Sequence, residues 1–219
     1  MTLFLMILLL VVNFLISWAN ADYVGRYWSE SKEVGGSFRS YVVCGYVMAV
    51  AGFTMVYGCV LLLIAPIFLQ AAGCDTEIII KVEMLASDML YLLAIVTVIL
   101  SGFRIWIGSL RTAWEERSFS HIAAAGWNTF AQIHNGINFA RNAPSAFGRV
   151  FNALFGIKGS GSKSKKNDVV VITLVITIVV LAILSGYFTA NAIMKRADAR
   201  YDLFAKLERK HRRECRNYG

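Results

Sequence analysis

The chain has 219 residues, of which 57% are hydrophobic, with a mean hydropathy of +0.57 and only two prolines. That apolar share exceeds what a water-soluble domain uses and points to a bilayer protein. The net charge is +8, and 18 of the 22 Lys and Arg residues lie at or beyond residue 104. Basic segments beside apolar runs select a lipid bilayer with anionic headgroups as the first partner, while no recognition motif for nucleic acid accompanies the charge.

Four apolar runs define the expected spans. Residues 3–18 carry no charged side chain but are short for a hydrocarbon core about 30 Å thick, at about 1.5 Å per residue. The small-x-small tripeptide Ala19-Asn20-Ala21 follows, as at a signal-peptidase site. With no Lys or Arg in residues 1–21, however, the expectation is an uncleaved first helix. Residues 41–72 are uncharged throughout, too short for two crossings, and read as one tilted helix kinked near Pro66. Residues 89–110 form the third run, interrupted by Arg104, and residues 169–190 the fourth and cleanest.

Small and polar residues punctuate these runs. On the third, Thr97, Ser101, Arg104 and Gly108 recur at helical spacing, a stripe suited to helix packing or to lining a cavity, with Arg104 near enough to the helix end to snorkel. Gly45, Ala49 and Gly52 share a face of the second run, and Gly186 and Ala190 form a small-xxx-small pair in the fourth. Such faces let helix backbones approach closely, within the chain or between copies.

Between the third and fourth runs the pattern changes. Trp127, Phe130, Ile133 and Ile137 fall on one helical face, and Asn128, Gln132 and Asn135 on the opposite one. Asn142-Ala143-Pro144 is expected to break the helix, after which Phe147, Phe151 and Phe155 resume an apolar stripe. This reads as an amphipathic pair of interfacial helices with the aromatic face toward lipid, or equally as a stripe packed on the protein's own spans. The Gly- and Ser-containing basic segment 159–168 is expected to be a flexible linker, and residues 195–216 a charged helix continuing out of the membrane.

The resulting expectation is an all-α, multi-pass integral membrane protein. Three spans fill 1–110, surface helices 111–158, a linker 159–168, the last span 169–192 and a basic tail 193–219. Basic residues barely orient four crossings, because the two sides carry 12 and 10 Lys and Arg. The expectation places the tail in the cytoplasm and residues 111–166 outside; a hidden crossing within the third loop would remove the tie.

Chemistry is sparse. No Gly-rich phosphate loop, His-Glu-x-x-His or Cys-x-x-Cys occurs, and Cys44, Cys59, Cys74 and Cys215 are dispersed. His121 near Glu115 and Glu116 lacks further ligands at metal-site spacing, so no catalytic residue, metal or cofactor is expected. The expected function is a non-enzymatic assembly, accessory or exclusion/immunity module of an envelope complex, or a holin-like pore, working as a homo-oligomer or in a larger membrane complex. The alternative is a channel or transporter subunit with its own permeation path. The membrane expected is a plasma or bacterial inner membrane.

Overall fold

The structure, a computed structural model, describes the backbone of residues 2–155 and 162–217 and the side-chain surroundings of 4–155 and 167–204. Five helices account for almost all of it: α1 (Thr2–Val34), α2 (Gly36–Ala71), α3 (Thr76–Glu116), α4 (Phe119–Phe155) and α5 (Ser162–Asn217). Four stretches are long and apolar enough to cross a membrane: Phe4–Val34, Gly36–Ala71, Thr76–Glu116 and Asn167–Phe204. Each apolar run of the sequence thus lies inside a longer helix, except for Ala72, the C-cap of α2, and the helices add the polar turns that flank the runs.

Very short connections force the first four helices into antiparallel neighbours. Gly35 and Gly36, with φ of 67° and 53°, reverse the chain between α1 and α2, a conformation that a side chain would strain. Gly73, at φ 78°, ends the next turn, its N–H bonding the carbonyl of Gln70 while that of Cys74 bonds Leu69. Arg117 does the same work between α3 and α4 without being glycine, with φ of 49° and its N–H on the carbonyl of Ala113.

The bundle core is apolar and centred on α5. At one end Val82, Leu85 and Leu90 of α3 meet Val171, Val175, Val179 and Ala182. Midway, Ala21, Ala49 and Phe53 pack with Ala190 and Ile193, and beyond them Val24 and Val42 with Met194. These contacts order the helices: α1, α3 and α5 run one way, α2 and α4 the other. The chain's first residues, the α2–α3 turn and the start of α5 therefore share one end, and Gly35, Arg117 and the α5 tail the other.

Two sequence expectations are corrected here. The amphipathic pair is a single 37-residue helix, because Pro144 sits inside α4 and does not divide it. Proline removes a backbone donor and costs about 3 kcal/mol in a helix interior. Ala143 and Ala146 beside it are only 4% and 2% exposed, so packing of this stretch holds the helix together across the missing donor. The expected linker, 159–168, overlaps the start of α5. Residues 159–161 lie outside the described ones, but 162–168 already belong to α5, which meets no glycine or proline before Gly186. The tail continues α5 without interruption to Asn217, as a charged helix.

Candidate functional site

The most polar interior feature is the seam between α3 and α4. From its lower end upward, Arg149 bonds Asp88 through two nitrogens, at 2.6 and 2.7 Å. One turn further, the Tyr91 hydroxyl donates to the backbone carbonyl and side-chain oxygen of Asn138, at 3.1 and 3.2 Å. Gln132 lies over Gly102, where a Cβ would collide with its amide. The Trp106 indole N–H then donates to the Thr129 hydroxyl at 2.8 Å, and that hydroxyl in turn donates to the Ala125 carbonyl. Residue numbers rise along α3 as they fall along α4, so the two helices are zipped antiparallel over most of their length.

Polar groups in a low-dielectric interior are costly unless paired, and pairing them across a seam makes the register specific. The face reading Asn128, Gln132 and Asn135 in the sequence is the inward one. Its opposite is bare: Trp127, Phe130, Ile133, Ile137, Phe147, Phe151 and Phe155 are all between 49% and 69% exposed. Their rings contact one another along the helix, Phe130 with Trp127 and His134, and Phe151 with Phe147 and Phe155.

The upper end of the seam opens into a polar cavity of about 510 Å³ where α1, α2, α3 and α4 meet. Arg104 reaches across it, donating to the carbonyl and hydroxyl oxygens of Ser37 at 2.7 and 2.6 Å. Gly108 leaves room for the Tyr41 ring, which a Cβ would approach to 3.1 Å. His121 stands at the rim, its Nδ1 2.8 Å from a Glu116 oxygen and 3.0 Å from the Ser118 hydroxyl. Guanidinium, carboxylate, imidazole and phenol thus line one polar vestibule.

The stripe on α3 divides between neighbours. Ser101 is buried, Arg104 and Gly108 serve the α2 contact and the cavity, and Thr97 bonds its own helix through the Leu93 carbonyl. The small-residue faces close the α1–α2–α5 packing. Gly45 lies against Val24, Gly52 against Ser17 and Gly186 against Thr54, while Ala49 and Ala190 are fully buried. The four ties between α3 and α4 escaped the sequence reading, because partners such as Asp88 and Arg149 stand 61 residues apart.

These features define an all-helical chain with four helices able to cross a membrane and a fifth laid along the third. No protein-family model, curated protein or solved structure matches it.

Proposed function

We propose that the protein is a non-enzymatic membrane module that assembles with itself or with a larger envelope complex, in a plasma or bacterial inner membrane. The observation that carries this reading is the use made of its intramembrane polar groups. Asp88, Arg149, Tyr91, Asn138, Trp106 and Thr129 are engaged with one another across a single helix seam, where they fix geometry. The large apolar faces of α1, α3 and α4 point outward and offer area for lipid or for further helices.

A channel or transporter subunit is the second reading, favoured by the polar vestibule around Arg104, since ionisable groups at membrane depth line pathways in many carriers. Purification in mild detergent separates the two readings. An assembly module elutes with a protein mass above that of one 24.3 kDa chain and leaves liposomes sealed. A single chain that makes liposomes leak to ions overturns the assembly reading in favour of the second.

A further inference from the structure

The outer face of α4 has no partner among the described residues, and its position along α3 identifies one. We propose that α4 is a fifth membrane-crossing helix, with its apolar face in the lipid acyl chains and its polar face sealed against α3. Helix α3 is one of the four able to cross, and α4 is tied to it at both ends of that passage, by Asp88–Arg149 below and Trp106–Thr129 above. A helix fastened along a spanning helix at both ends returns to the face from which that helix set out.

Length and chemistry agree. Residues 118–140 contain no Asp, Glu, Lys or Arg, and at about 1.5 Å per residue they cover the roughly 30 Å of hydrocarbon. The amphipathicity is inverted relative to a surface helix: the polar face turns toward α3, where Thr129 and Asn138 accept hydrogen bonds from Trp106 and Tyr91, and Phe130, Ile133 and Ile137 face outward. His134 is the one titratable group on the outer side within that stretch, and its ring stacks on Phe130 at 20°. Arg141, exposed just below, lies within snorkelling reach of the lower face.

Charge supplies an independent argument. With four crossings the Lys and Arg residues divide 12 to 10, which sets no orientation. With α4 as a crossing, residues 26–39, 104–117 and 195–216 share one side and hold three, three and nine of them. The other side keeps seven: Lys81, Arg141, Arg149 and the four lysines of 158–166. Fifteen against seven obeys the positive-inside rule and places the α5 tail, Gly35 and Arg117 in the cytoplasm.

The native cysteines make this testable in the full chain. Three variants each keep one thiol: Cys74 alone, Cys215 alone, or Ser160→Cys with all four native cysteines replaced by Ala. Each is labelled with a membrane-impermeant maleimide in sealed vesicles of known orientation. Five crossings predict that Cys74 and Ser160→Cys label in one vesicle orientation, and that Cys215 loses its labelling there and gains it in the other. Any other grouping, above all Cys74 with Cys215 against Ser160→Cys, overturns the proposal. Because cysteine replacement can impair insertion, a reporter that fluoresces only in the cytoplasm is also placed in the chain with its native cysteines, inserted at Gly35 or fused after Gly219. Fluorescence at both sites is expected, and fluorescence at only one contradicts the fifth crossing.

Discussion

Arg149 grips both carboxylate oxygens of Asp88 in a fork, joining the C-terminal half of α4 to the N-terminal half of α3 across 61 residues of sequence. The Asp88 side chain is only 13% exposed and that of Arg149 50%, so one partner is shielded while the other keeps access to water. A half-shielded bidentate pair fixes register more than a surface pair does, and breaking it strands a carboxylate in an apolar setting.

Replacing Asp88 by Leu, or Arg149 by Leu, therefore lowers the melting temperature of the detergent-solubilised protein, and the Arg149 change is the worse because it leaves the shielded carboxylate alone. The double variant recovers part of the loss. Thermal unfolding followed by circular dichroism reads all three. Strictly additive losses would show that the pair is not coupled.

Gly186 brings α5 close to the backbone of α2. A Cβ there would stand 2.6 Å from the Thr54 amide nitrogen, which cannot move aside without moving the helix. Gly186→Leu is expected to abolish the folded, monodisperse peak in detergent size-exclusion chromatography. Gly126→Ala and Gly136→Ala, which meet nothing within 4 Å, leave it intact. A normal peak from Gly186→Leu would place the α2–α5 contact elsewhere.

Arg104 bonds Ser37 twice, through the carbonyl and the hydroxyl. Arg104→Lys retains a charge but not the two-point reach, so it loses up to about 1 kcal/mol, and Arg104→Leu loses somewhat more because both bonds to Ser37 go. The melting temperatures should fall in that order. Equal melting of all three proteins would mean that the arginine simply extends to water.

Pro144 interrupts the backbone ladder of α4 yet leaves the helix unbroken. Pro144→Ala restores a donor without disturbing the outward face, so it should raise helicity and melting temperature, by up to about 3 kcal/mol of stability. A lower melting temperature would indicate that the ring holds a bend the chain needs.

The four long apolar runs were legible because continuous hydrophobicity is a local property, and each reappears inside a helix that can span a membrane. The two faces of α4 were also legible, since a 3.6-residue period set Trp127 and Phe130 apart from Asn128 and Gln132. What no period reveals is which face meets water, lipid or protein. That depends on Asp88, Tyr91, Gly102 and Trp106, which lie far back in the chain and become partners only when Arg117 turns it. The expected break at Pro144 failed for a similar reason, because a local rule was outweighed by packing at Ala143 and Ala146. Gly45, Gly52 and Gly186 announced close helix approach in the sequence, but not that α1, α2 and α5 would use it among themselves.

The central claim is that α4 lies along α3 with its polar face inward. Disulfide trapping in native membranes tests it most directly, with Gly102→Cys paired with Gln132→Cys in an otherwise cysteine-free chain, and Gly102→Cys paired with Phe130→Cys as control. Position 132 faces Gly102 and Phe130 is 62% exposed on the far side. The account predicts rapid oxidative closure of the first pair, seen as an intrachain link by mass spectrometry, and none of the second. Closure of the second pair, or of neither, would contradict it.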